Sequence, residues 1–446
     1  MASSPELTRK IRAPFGQSSG TVSPHWFGRR NLAFDNDFEF HGAYKDGSDA
    51  KPVCGIAETD DVLIAGGKLN PRLTPICCSI ATAGQIATQR FHVHPTIPNL
   101  ARMRIEAISI SWETAESTAS ACTLQVTKEE SGQGPGAGHV LLQTAINVKG
   151  TAATPANGTL VTDVRKLTLR AGDMLSFLLS AASTELAGLC ITVWVSPGHV
   201  VNFASFYINA TGSQLDSTFA VFNRPTTALA VSYVHSILGT DGSAVTVMPE
   251  RQVGTEDEAS GDAMMAAGFN CKAAINVPQH GTLVTTAAIV RSKPADRLAA
   301  DFTGTLTALA GTVMTMAYSA WEDAVEAQIF MIDTGAAVVD RTIAIVRRDF
   351  AIVGGMATWR VAGGASNVQL TLDETAEAAG AGHNLLSQDS AAGFQTDGTA
   401  EVPEEAALVV TPSLHFGKDG DRVSMDSAGT LTNLEGLVIG VMIAPR

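Results

Sequence analysis

No Cys-x-x-Cys pair occurs among the six cysteines, Cys54, Cys77, Cys78, Cys122, Cys190 and Cys271. Nor do they recur in register along the chain, so they outline neither a zinc ribbon nor a disulfide framework. Free, mostly buried thiols made in a reducing cytoplasm are the expectation. No run approaches the roughly 18 apolar residues of a membrane helix, and Met1 to Gly20 lacks the apolar segment of a signal peptide. Aromatic residues make up only 6% of the chain, too few for a stacking platform, and charged residues only 17%. Thirty Lys and Arg against 44 Asp and Glu leave a net charge of −14, which opposes wrapping by nucleic acid. A Gly-Lys-Ser/Thr phosphate loop is absent.

What the chain does have is a segment that returns three times. Leu167-Thr168-Leu169-Arg170-Ala171-Gly172-Asp173 closes with Leu186-Ala187-Gly188-Leu189, and Asp296-Arg297 with Leu309-Ala310-Gly311. Gly420-Asp421-Arg422 closes with Leu434-Glu435-Gly436. The aspartates at 173, 296 and 421 and the glycines at 188, 311 and 436 both step by 123 and then 125 residues. Leu160, Leu283 and Leu408 keep the same steps, as do Leu124, Val247 and Leu372. A period that long is a domain, long enough to bury its own core. Modules over 76–200, 201–325 and 326–446 follow, preceded by a remainder over 1–75.

The segments read as strands. Ile105 to Trp112, Leu141 to Val148, Leu167 to Leu179 and Leu189 to Val195 are partly alternating, rich in branched residues and punctuated by Gly, Asn, Asp, Ser and Pro. In the recurring turn, Gly172 and Gly420 can supply a positive φ while Asp173, Asp296 and Asp421 bond the neighbouring backbone. Each module holds roughly seven to nine strands, the count of a β-sandwich or jelly roll. The expected fold is all-β: three tandem sandwich modules behind an extended N-terminal arm. Ala320 to Ala327 is the one stretch with the composition of a short helix.

The succession of leucine, Gly-Asp, apolar strand, then Leu-x-Gly and a closing apolar strand resembles the last strands of jelly rolls of the tumour-necrosis-factor and complement type. Gly304-Thr305-Leu306-Thr307-Ala308-Leu309-Ala310-Gly311 and Gly429-Thr430-Leu431-Thr432-Asn433-Leu434-Glu435-Gly436 also resemble tandem β-modules of tailed-bacteriophage structural proteins. That resemblance covers the modules and implies a virion structural protein, a capsid decoration or cement protein or a head fibre. Its partners would be the major capsid protein or other virion proteins. Three modules in one chain would make a pseudo-trimer, with a homo-oligomer as the other arrangement. Localisation would be the virion, assembled in the host cytoplasm.

The first 75 residues differ. Arg9, Lys10, Arg12, Arg29 and Arg30 face Glu6 alone over the first 30, and Trp26, Phe27, Phe34, Phe38, Phe40 and Tyr44 follow. A basic stretch followed by aromatics reads as a partner-binding arm or as a segment folded back on the first module.

Chemistry is poorly nominated. His92-x-His94 on a strand puts two imidazoles on one face, but no further ligand has metal spacing, so surface histidines are the simpler expectation. His139 and His383 each follow Gly-Ala-Gly where the second module has Phe269 after Gly268. Glu129-Glu130, Glu256-Asp257-Glu258 and Asp373-Glu374 with Glu377 match no calcium-loop template and read as solvated loops. Gly16-Gln17-Ser18-Ser19-Gly20 lacks the strand and helix of a nucleophile elbow. No enzyme, cofactor, metal, nucleic acid or membrane is expected. The alternative function, a tail fibre or spike that binds host-surface carbohydrate, requires exposed aromatics in module loops, and Trp194, Trp321 and Trp359 occupy no obvious loop.

Overall fold

The computed structural model describes the strands Glu39–Gly42, Lys51–Ile56, Val62–Ile64 and Gly67–Leu69 (β1 to β4) and residues 73–445. Within the latter it omits 82–85, 99, 118–120, 197–200, 211–214, 241–243, 320–324, 331–339, 348, 365, 375, 388–392, 430 and 432. Two compact units result, Met1–Arg72 and Leu73–Arg446. In the first, β1 to β4 form an antiparallel meander in chain order, so the stretch expected to be an extended arm contains a sheet.

The second unit consists of three pairs of antiparallel sheets. Sandwich 1 is built from β5 (Thr74–Ile80), β6 (Gln89–Val93), β7 (Arg102–Ser111), β8 (Thr123–Glu129), β9 (Met174–Leu179) and β10 (Leu189–Ser196). Its sheets run β8-β9-β6 and β7-β10-β5. Sandwich 2 repeats that order with β11 (Val201–Ile208), β12 (Ser217–Val221), β13 (Thr226–Val234), β14 (Thr246–Gln252), β15 (Arg297–Thr303) and β16 (Thr312–Ser319). Its sheets are β14-β15-β12 and β13-β16-β11. Sandwich 3 has β17 (Val325–Phe330), β18 (Arg341–Ile345), β19 (Phe350–Thr358), β20 (Ser366–Asp373), β21 (Arg422–Gly429) and β22 (Val438–Pro445). There the sheets are β20-β21-β18 and β19-β22-β17.

Alternation puts one row of each strand into its sandwich. On β5, Ile76, Cys78 and Ile80 join Phe91, Ile105, Leu124, Phe177 and Ile191 in one core, each such side chain worth about 1.5–3 kcal/mol when fully buried. The other row of β5 faces the neighbours: Cys77 clusters with Trp194 and the core residues of sandwich 3. Each second strand carries a bulge at the same register, with Phe91, Phe219 or Ile343 as the extra residue, all three fully buried. A bulge bends the strand and adds local twist.

Two sequence expectations are corrected. Of the stretch Ala320 to Ala327, expected as a short helix, Val325 to Ala327 open the strand β17, where alternation toward a core overrides weak helix propensity; 320–324 lie outside the described residues. Leu141 to Val148 yields only the short strand Ile146–Asn147 beside β8. The helical turns fall instead just before the recurring turn, at Val164–Leu167 (α1), Ala287–Val290 (α2) and, as a 3-10 turn, Pro412–His415.

The three sandwiches close into a ring. The edge strands β5, β11 and β17 pack on one another. Around them β16 packs on β6, β22 on β12 and β10 on β18, so each sandwich covers the edge of the next in one rotational sense. This is a heterologous contact that closes after three steps, the arrangement of a cyclic trimer inside a single chain.

Candidate functional site

The recurring turn is a structural lock. Asp173 Oδ2 accepts from Arg170 N at 2.9 Å, Asp296 Oδ2 from Lys293 N at 2.6 Å and Asp421 Oδ2 from Lys418 N at 2.7 Å. The residue before each aspartate has positive φ: Gly172 at 86°, Ala295 at 69° and Gly420 at 94°. Their amides donate to His94 O at 2.8 Å, Phe222 O at 2.9 Å and Val346 O at 2.8 Å, tying the turn to the strand below. Lys128 lies 3.5 Å from Asp173 and Arg251 bonds Asp296 at 2.8 Å, whereas the counterpart in sandwich 3 is Leu372. Burial raises the Asp173 and Asp421 carboxyls above the usual carboxylate range, against the pull of the capping amides.

Gly188, Gly311 and Gly436 have φ near +60°, and a Cβ at each would come within 2.5, 2.6 and 2.8 Å of Glu113, Ser236 and Arg360 respectively. Glycine is therefore required twice over at these positions, by conformation and by space.

The polar groups that converge lie in the seams between sandwiches. In each seam a guanidinium bonds a loop carbonyl of its own sandwich and a side chain of the next. Arg297 bonds Glu256 O and Glu401, and Arg422 bonds Glu377 O and Glu113, the latter at 3.0 Å. Sandwich 1 has Met174 where these arginines sit, and the group comes instead from Arg90 on the adjacent strand. Arg90 bonds Gln133 O and donates to Ser236 Oγ at 2.8 Å. Thr218 and Thr342 occupy the places equivalent to Arg90.

A second repeated contact satisfies the bulged edge strands. Val93 N donates to Thr315 Oγ1 at 3.1 Å and Ile345 N to Thr192 Oγ1 at 3.0 Å. In the seam between sandwiches 2 and 3 the threonine place is held by Gly440, and Gln328 Oε1 accepts from Val221 N at 3.3 Å. A Cβ on Gly440 would stand 2.8 Å from the Gln328 amide, so the glycine makes room for the longer acceptor. Beside it Tyr318 donates to Glu326 Oε2 at 2.9 Å, and burial pushes the Glu326 carboxyl up. Buried edges left unpaired cost free energy and invite wrong pairing; here side chains of the next sandwich close them.

The residues named for chemistry are placed otherwise than the sequence predicts. His92 and His94 are buried between sandwiches 1 and 2, not on the surface. Glu129 is buried, accepting from Ser176 and Thr127 at 2.6 Å each, and Asp373 is buried on Thr371 and Gly382 N, so these acids are not solvated loop residues. The strand partner of His139 is Lys128 and that of His383 is Leu372, which makes Asp262, opposite Arg251, their counterpart; Phe269 pairs one turn further on. Among the described residues no group of three or more His, Cys, Asp and Glu could hold a metal ion. Arg9, Lys10, Arg12, Trp26, Phe27, Arg29, Arg30 and the Gly16–Gly20 motif lie outside the described residues.

No family model matches the chain, and no curated protein matches it. Among solved structures it is similar to the infectious bursal disease virus VP2 subviral particle, at 10% identity over 79% of this chain and 75% of that one, with a TM-score of 0.18.

Arg102 and Arg170 are directly opposed on neighbouring strands, with Arg104, 3.7 Å from Glu106, and Arg165 on the same segments, and all four are exposed. Like charges in register are unfavourable by a few tenths of a kcal/mol or more, and this basic end belongs to a chain of net charge −14.

Proposed function

We propose that this chain is a virion structural protein of a tailed bacteriophage, a capsid decoration or cement protein or a head fibre. The observation that carries the reading is the closed ring of three sandwiches in one chain. A shell lattice has junctions where three capsomers meet, and a body with three similar sectors can offer one contact to each. The basic end around Arg102 and Arg170 and the cationic first 30 residues suit an acidic shell surface. Function then consists of burying interface area across neighbouring subunits and stabilising them by mass action.

Imaging purified particles, with crosslinking through Lys10, tests this reading. The expected result is one ring at threefold or quasi-threefold junctions, and particles stripped of it should lose heat resistance. A chain found free in the cytoplasm, with no particle, overturns it. The tail-fibre reading needs exposed aromatics; the described tryptophans Trp112, Trp194 and Trp359 are all buried, and glycan-array binding is the measurement that would revive it.

A further inference from the structure

The three seams share a plan but not a chemistry. Among the described residues, only the seam between sandwiches 1 and 2 is built around imidazoles. His92 Nδ1 stands 3.4 Å from Ser205 Oγ and 3.5 Å from Thr315 Oγ1, both on sandwich 2. Its Nε2 stands 3.5 Å from His94 Nδ1, and the ring of Phe203 covers both imidazoles at 5.1 and 5.6 Å between centroids. His94 in turn feels His280 of sandwich 2, which is exposed and bonds Ser232 Oγ at 2.6 Å. The series runs from solvent at His280 to the interior at His92. At the equivalent places the other seams carry Ala220 and Phe222, and Ala344 and Val346.

The charged groups around the series give an imidazolium no counter-ion. From β6 comes Arg90, and beyond β13 the buried His235, whose Nδ1 has no partner and whose Nε2 faces Ala273 O at 3.1 Å. Glu129 is committed to Ser176, Thr127 and Gly136 N. Asp173 is committed to Arg170 N and Lys128. No ion pair among the described residues involves His92, His94 or His280. A proton placed on His92 or His94 is thus a buried, unpaired charge, the situation that proteins relieve by opening or by losing the proton.

We propose that the seam between sandwiches 1 and 2 is an acid-opened joint, in which protonation of the His92–His94–His280 series parts these two sandwiches while the other two seams hold. The inference concerns the ring itself and stands apart from any partner. Its direction follows from linkage. Burial, reinforced by His280, depresses His94 from 6.5 to about 4, and burial together with His94 holds His92 well below its ordinary value. Above 6.5 the closed and open forms are both neutral and pH has no effect. Between 6.5 and about 4 the open form binds the proton better, so closure weakens as pH falls, by up to about 300-fold for His94 alone. The seam between sandwiches 2 and 3 responds in the opposite sense, because burial and the adjacent Glu258 push Glu401 up and low pH supplies the proton it holds. None of the bonds described across the third seam, among them Arg422 to Glu113 and Trp194 to Ile345 O, involves a histidine.

Amide hydrogen exchange of the full chain between pH 7.5 and 4.5, corrected for the intrinsic pH dependence, tests the joint. Expected is a loss of protection on β6, β11 and β16 through that range while β12 and β18 keep theirs. The double variant His92→Gln, His94→Gln should remove the transition. Should that variant fail to fold, His280→Asn, which installs the residue that its counterpart Asn157 already is, should reduce the opening at pH 4.5 severalfold. Protection of β6 that persists to pH 4.5, uniform loss at all three seams, or a His280→Asn curve superimposable on the parent overturns the inference.

Discussion

The Tyr207 phenol of β11 holds both main-chain groups of Ser79 on β5, accepting from its N–H at 3.0 Å and donating to its carbonyl at 3.1 Å. One side chain thereby completes an edge strand of another sandwich. Tyr207→Phe leaves two buried backbone groups unpaired and should lower stability by about 1–3 kcal/mol. Urea denaturation reads this directly, and an unchanged midpoint would show the edge to be satisfied otherwise.

The guanidinium exchange in sandwich 1 predicts non-additivity. Arg90→Thr alone strips Gln133 O and Ser236 of their donor, and Met174→Arg alone crowds two cations into one place. Made together, they recreate the arrangement of Thr342 with Arg422. The double variant should exceed the sum of the singles by about 1–3 kcal/mol of coupling. Additive losses in a double-mutant cycle would count against equivalent roles for the two arginines.

Ala295 holds a φ of 69° where the other two turns have glycine. A left-handed conformation costs a residue with a Cβ about 1–2 kcal/mol, partly offset by the greater chain entropy of glycine when unfolded. Ala295→Gly should therefore stabilise by about 0.5–1 kcal/mol. Gly311→Ala, with its Cβ driven onto Ser236, should destabilise by more than that. Thermal melts of the pair must move in opposite directions.

Glu401 is raised to about 8 by burial and by its neighbour Glu258. A folded value above the unfolded 4.5 means that the native state holds the proton more tightly. The contribution is whole below 4.5 and is lost as pH rises from 4.5 toward 8, with a slope of up to about 1.4 kcal/mol per pH unit. Glu401→Gln should remove this loss, so the difference in denaturation midpoint between variant and parent should grow in the variant's favour from pH 5 to pH 8. A constant difference would mean that Glu401 is ionised throughout.

Cys77, Cys78, Cys122, Cys190 and Cys271 are all free and buried. Burial pushes the Cys190 thiol up to about 12 and Cys271 to about 11, far from the thiolate range. In a Cys54→Ser variant no thiol should react with an aromatic disulfide reagent in the native state, and all five should react in denaturant. Rapid native labelling at any of them would contradict the burial.

How much of this could be read from the chain depended on range. Asp173, Asp296 and Asp421 revealed their turns because the bond each makes reaches only three residues back, and a local bond leaves a local signature. The glycines at 188, 311 and 436 marked places where a Cβ has no room for the same reason of fixed spacing. Sequence reasoning misplaced Glu129, whose partner Ser176 lies 47 residues away on another strand. It matched His139 and His383 with Phe269 through the glycine before it, whereas Asp262, 11 residues beyond its strand partner Arg251 as His139 is beyond Lys128 and His383 beyond Leu372, holds the equivalent place.

The sequence by itself determined the strands, the turns and their threefold recurrence, since alternation, glycine conformation and side-chain capping act over a few residues. Tertiary structure alone decided that the three sandwiches close on one another. Closure is what buries His92, moves a guanidinium from Met174's place to Arg90 and lets Gly440 yield space to Gln328. Each of those choices answers a surface more than 100 residues away along the chain, and the energy of a seam belongs to both of its sides.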